Sequence, residues 1–128
     1  MYAAKLVDAK TMKDAEREIR AIDVSDDCIA IMKNKATFRL VKLQGVRNAV
    51  ANILKQEMLA CGGDATVSQR TVNCSRPTTD VLMMGTLAHY KKIIAKMRQQ
   101  GAHLPSEKKS EYKAISDELS DVLKADLK

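Results

Sequence analysis

"VRNAVANILKQEMLACGGDATV", residues 46–67, is the stretch on which the fold class turns. Val46, Val50, Ile53, Leu54, Met58 and Cys61 recur at helical spacing, so the pattern predicts an amphipathic helix with one apolar face. Gly62 and Gly63 stop it, because a glycine just past a helix adopts the left-handed conformation that satisfies the last carbonyls. "DATV" (64–67) then reads as a short strand. Lys55, Gln56 and Glu57 lie about 100° apart around the helix axis and do not converge on one point, which argues against a catalytic triad.

Upstream, "AAKLVDA" (3–9) reads as a strand and "KTMKDAEREIRAI" (10–22) as a helix. Thr11 caps that helix, Asp14 completes a capping-box-like start, and Ala15, Ile19 and Ile22 form its apolar stripe. "CIAIM" (28–32) is expected to be a buried strand, joined by the turn "KNK" (33–35) to the β-rich "ATFRLVKL" (36–43); Gly45 breaks the pattern. Downstream, "DATV" and "TVNC" (71–74) are expected to form a hairpin, and Pro77 prevents uninterrupted pairing. "DVLMMG" (80–85) reads as a strand and "TLAHYKKIIAKMRQQ" (86–100) as a helix capped by Thr86, with Leu87, Tyr90, Ile94 and Met97 inward. "GAHLPSE" (101–107) has linker composition. A final helix, roughly 106–124, carries Tyr112, Ile115, Leu119 and Val122 on one side. The order β-α-β-β-α-β-β-β-α plus a C-terminal helix predicts an α+β (split α/β) fold: a mixed sheet with helices mainly on one face. The expected organisation is one domain over 1–104 and an appended helix over 105–128.

The 128 residues suit one domain, and 45% apolar with 30% charged residues is a soluble globular composition. With no Trp, one Phe and three Tyr the core must be aliphatic, and seven Met supply adaptable filling. Net charge is +6, unevenly spread: residues 64–104 carry 6 basic and 2 acidic side chains, whereas 105–128 carry 5 and 6. Such a middle segment suits an anionic partner. Cys28, Cys61 and Cys74 form no CxxC or Cys/His grouping, and His89 and His103 stand alone, so no metal site is expected. The reduced-cysteine pattern, the lack of an apolar leader at "MYAAKLVDAK" and the lack of a run of about 18 apolar residues predict a cytoplasmic protein without membrane contact.

No P-loop, GxSxG, HExxH or EF-hand spacing occurs, and no cofactor is implied. Two weaker groupings remain: Lys33 and Lys35 at the "KNK" turn, and Gly85-Thr86, where a strand feeds a helix. A small anionic ligand lying between the end of helix 46–61 and the Gly85-Thr86 turn would be met by Lys33, Lys35, Lys55, Arg70, Thr86 and His89. A basic RNA- or polyanion-binding module is a further reading of the charge, but aromatic residues for base stacking are almost absent, which ranks nucleic acid lower.

The stretches "IAIMKNKATFRLVKLQGVRNAVANILKQEMLACGGDATVSQR" (29–70) and "TTDVLMMGTLAHYKKIIAKMR" (78–98) resemble the N-terminal extension domain of long-form bacterial dihydropteroate synthases. The likeness covers about residues 3–98 and is strongest at Lys55-Gln56-Glu57-Met58-Leu59, Gly62-Gly63-Asp64-Ala65 and Thr79-Asp80-Val81-Leu82. In that family the pterin-binding residues lie in a (β/α)₈ barrel of about 250 residues, which this chain does not contain. The resemblance therefore implies a free-standing, non-catalytic relative linked to folate, pterin or one-carbon metabolism. Its partner would be a pterin- or folate-handling enzyme or a second copy of itself.

Overall fold

Thr11 and Ser25 start the first two helices. In the computed structural model, which describes residues 2–71, 76–101 and 106–126, the Thr11 hydroxyl accepts the Asp14 N–H at 3.1 Å. The Asp14 carboxylate accepts the Thr11 N–H in return, and the predicted capping box heads α1 (Met12–Arg20). The same hydrogen bonds hold the Asp14 carboxyl below its ordinary range, with Arg17 adding to the effect. Ser25 caps α2 (Asp26–Lys35) by accepting the Cys28 N–H at 3.2 Å.

The second helix replaces the strand expected at 28–32 and the turn expected at 33–35. A short apolar run has no periodicity to separate strand from helix. Here Ser25, the acids Asp26 and Asp27 in the first turn and the bases Lys33 and Lys35 in the last turn satisfy both helix ends. Residues 3–9, expected as a strand, have no regular secondary structure, and 3–8 are exposed. The chain divides after Thr37 into two compact units, the first holding α1 and α2.

The second unit begins with β1 (Phe38–Arg47), followed by α3 (Asn48–Ala60), β2 (Asp64–Val67), a single 3₁₀ turn (Gln69–Thr71), β3 (Thr78–Thr86), α4 (Leu87–Gly101) and α5 (Ser106–Val122). The fold is α+β, as the order of elements predicted. The sheet order is β1-β3-β2, with β3 antiparallel to both neighbours. Consequently β1 and β2 run parallel on either side of β3, joined through α3. This is a split βαβ unit, in which every hydrogen-bonded strand pair is antiparallel. Strand β1 continues past Gly45, where φ is +68° and the register shifts between Leu43 and Val46, so Val46 belongs to the strand rather than to the helix. The expected "TVNC" strand falls largely on 72–75, outside the described residues, as do Cys74 and His103.

Pairing register separates the two sheet faces. Val41, Met83 and Ala65 form one cross-strand row, and Leu43, Val81 and Val67 the next; of these Val41, Ala65, Val81 and Met83 are buried. Against them pack Val50, Leu54 and Met58 of α3 and Leu87, Tyr90, Ile94 and Met97 of α4, all buried at the positions the helical spacing indicated. Full burial of a side chain such as Leu54 or Met58 contributes about 1.5–3 kcal/mol. The Tyr90 hydroxyl donates to the Arg39 carbonyl at 2.8 Å, and burial pushes its pKa up to about 12.

Helix α5 packs on α4 within the same unit. On this helix and just past it Tyr112, Ser116, Leu119 and Leu123 are buried; Tyr112 and Leu119 are inward as expected, whereas Ile115 is only partly buried and Val122 is exposed. Arg47–Glu111 at 2.6 Å and Arg39–Asp126 at 3.2 Å tie the helix and the residues following it to β1. The opposite sheet face carries Phe38 and Leu40, 55% and 61% exposed, beside partly exposed Leu82 and Met84. Among the described residues, no helix is long and apolar enough to cross a membrane.

Candidate functional site

The two ends of β3 present different chemistry. At its C-terminal end Gly85 faces the helical layer between Met58 and His89. A Cβ there would lie 2.7 Å from Met58 Cε, and one on Gly63 would lie 2.6 Å from the Met84 carbonyl oxygen. Gly62 takes φ +103° and sits beneath the His89 ring, with Nε2 3.0 Å from where a Cβ would be. The end of α3, the start of β2 and the β3–α4 turn therefore meet around one imidazole, and only residues without side chains allow so close an approach.

His89 Nδ1 accepts the Thr86 N–H at 3.0 Å, and the Thr86 hydroxyl lies 3.2 Å from the same nitrogen. An acceptor at Nδ1 leaves the proton of the neutral ring on Nε2. Thr86 ends β3 and directly precedes the first residue of α4, the position expected of an N-cap, and the ring of His89 accepts its N–H. The sequence-predicted Thr86 and His89 do come together, as a packed joint between elements.

The remaining predicted residues are dispersed. Lys55 Nζ donates to the Ala65 carbonyl at 3.0 Å and lies 3.9 Å from the Asp64 carboxylate, so it ties α3 to β2. Glu57 points elsewhere and pairs with Lys96 of α4 at 2.5 Å; that hydrogen bond holds the Lys96 pKa above its ordinary value. Lys33 and Lys35 belong to the first unit, on α2, where Lys33 lies 3.6 Å from Glu16. Arg70 lies in the second unit, toward the N-terminal end of β3.

There the open sheet face deepens into a cleft of about 700 Å³. Lys42 enters from β1, Thr66 from β2, Ser68 and Arg70 from the connection after it, Arg76 from before Pro77, and Asp80 from β3. The register explains the assembly: Lys42 and Thr66 are the two cross-strand partners of Leu82, so all three project from one row of one face. Two backbone donors of the lining are engaged within the chain: Ser68 N–H donates to Thr79 Oγ1 at 3.0 Å and Arg70 N–H to Ser68 Oγ at 3.2 Å. Asp80 Oδ1 accepts the N–H of Gly45 at 3.1 Å and so pins the β1 bulge.

Sequence reasoning reached Arg70 but missed Lys42, Arg76 and the hydroxyls. The basic excess of the middle segment was the available signal; convergence of separated residues depended on a register that the sequence did not reveal. A smaller cleft of about 280 Å³, between the β1 bulge, α3 and α5, is lined mainly by apolar groups such as Val46, Val50 and Ile115. The Arg47–Glu111 pair stands at its side. Among the described residues, no group of three or more His, Cys, Asp and Glu side chains is arranged to hold a metal ion.

Fold and site define a small split-βαβ α+β domain with an uncovered sheet face and a basic cleft at one end of it. A probable bifunctional folylpolyglutamate synthase/dihydropteroate synthase of Halobacterium salinarum is 30% identical to this chain over 93 residues. The match takes in 73% of this chain but only 11% of that protein. It relates the chain to folate enzymes. No family model matches the sequence, and no solved structure matches it.

Proposed function

We propose that this chain is a non-catalytic accessory module of folate metabolism, a counterpart of the N-terminal extension domain of long-form dihydropteroate synthases. The observation that carries the reading is the uncovered sheet face. Phe38 and Leu40 are more than half exposed, in register with Thr86 and Met84, on the face opposite the helices. Exposed large apolar side chains in adjacent rows of a sheet are the chemistry of a docking surface. The sequence relation supports a particular occupant: a related segment forms about a tenth of a much longer folate enzyme, where it is covalently joined to the remainder. The partner we assign to the face is accordingly a dihydropteroate synthase from the same cell.

Calorimetric titration of the chain with that enzyme tests the assignment. Saturable binding that is lost in Leu40→Asp but retained in Lys92→Ala, a substitution on the exposed side of α4, is the expected result. No heat at concentrations of about 50 µM, where a standard-size interface would be populated, would overturn it. Self-association through the same face, seen as a dimer in ultracentrifugation that L40D abolishes, would replace the enzyme with a second copy.

A further inference from the structure

The cleft at the N-terminal end of β3 is not accounted for by docking through Phe38 and Leu40. We infer that it binds a small ligand carrying two or more anionic groups, phosphate or carboxylate, with Lys42, Arg70 and Arg76 as the cationic contacts and Thr66 and Ser68 as hydroxyl donors.

In the second unit Arg39, Arg47, Lys55, Lys96, Arg98 and Lys113 each have a carboxylate within salt-bridge distance. Among the described residues, Lys42 of β1 and Arg70 and Arg76 of the β2–β3 connection have none, and they line one cleft. Three cations gathered around a single carboxylate, Asp80, repel one another, and an anion placed among them offsets that repulsion. Asp80 supplies one negative charge against three positive ones, so the cleft is net positive, and one of its carboxylate oxygens is engaged by the Gly45 N–H.

Two planar guanidinium groups suit oxyanions, because each offers two parallel N–H donors to a pair of oxygens on a carboxylate or phosphate. The volume of about 700 Å³ is in the range of small-molecule sites. A polymer fits less well. Along the same face the row beyond Lys42 is Leu40 and Met84, with Phe38 after it, so the positive charge does not continue as a track for a nucleic-acid backbone.

Titration of the full chain with inorganic pyrophosphate in one arm and triglutamate in the other separates phosphate from carboxylate recognition. The expected result is one-to-one binding in at least one arm, several-fold weaker at about 200 mM than at about 50 mM salt. Arg70→Ala and Arg76→Ala are each expected to weaken it about tenfold, the loss of one charge-assisted contact. Lys92→Ala removes the same charge on α4 and is expected to leave binding within about twofold of the parent, as for a distant exposed charge. Circular dichroism of each variant checks that the fold is retained. No saturable binding in either arm overturns the inference. So does an equal loss in K92A, or tighter binding of a short single-stranded RNA than of both small anions.

Discussion

At Gly85, β3 is packed so tightly that an added methyl group would lie 2.7 Å from Met58 Cε and 3.2 Å from His89 Cβ, whereas at Thr78–Leu82 the same strand borders a cleft of about 700 Å³. At the tight end the polar groups are engaged: His89 with Thr86, and Lys55 with Ala65 and Asp64. At the open end Lys42, Arg70 and Arg76 have no carboxylate partner among the described residues. One strand thus carries a structural joint and a binding surface, and the difference lies in whether its charges and volumes are satisfied from within. The string "GGDA" drew attention first, yet it belongs to the joint.

The largest effect should come from closing the space at the joint. Gly63→Ala places a Cβ 2.6 Å from the Met84 carbonyl oxygen and 2.9 Å from Met58 Cε; the first of these is backbone and cannot swing away. The expected loss is about 2–3 kcal/mol, at the upper end for overpacking, read as a lower midpoint in urea denaturation. His89→Ala should cost less, about 1–2 kcal/mol, because it removes the acceptor of the Thr86 N–H and the ring above Gly62 while water can reach a half-buried position. If both substitutions proved neutral, the tight end would not be the rigid element described.

The open end should respond in the opposite way. Arg76→Ala removes an exposed cation from a group of like charges, so stability should change by no more than about 0.5 kcal/mol while anion binding falls. A destabilisation as large as that of Gly63→Ala would mean that Arg76 supports the fold, and the contrast between the two ends would fail.

Legibility in the sequence followed the same division. Helices α3 and α4, the glycine stop and β2 were readable because period, breaker and burial agree: Leu54, Met58, Leu87, Tyr90 and Met97 are all essentially buried. Strand and helix could not be separated at 28–32, where only Ile29 is buried and the helix depends on its caps and terminal charges. Proximity to glycines and turns in the sequence marks Thr86 and His89 together. The cleft escaped because Lys42 is distant in sequence from Arg70 and Arg76, and the β1-β3-β2 order that unites them is a tertiary property.

The smallest effects concern the paired charges of the helical layer, and their sign follows from the partners. Hydrogen bonding to Glu57 raises the Lys96 pKa, so the folded state holds that proton more tightly than the unfolded chain does. The stabilisation is complete below the unfolded value near 10.5 and disappears as pH rises through the folded value. Asp117 is the mirror case: Lys113 first and Arg98 after it lower its pKa, so its contribution is complete above the unfolded value near 3.8 and is lost as pH falls through the folded one. Both groups are solvent-exposed, and screening keeps each contribution small. Urea midpoints measured across pH should therefore fall at both extremes, with Asp117→Asn flattening the acid limb slightly and Lys96→Met the alkaline limb. Arg70→Ala, by contrast, should leave both limbs as they are, because no carboxylate in the described structure depends on that cation for its charge. A change in the acid limb on removing Arg70 would reveal a native partner, and would remove the main reason for assigning its charge to a ligand.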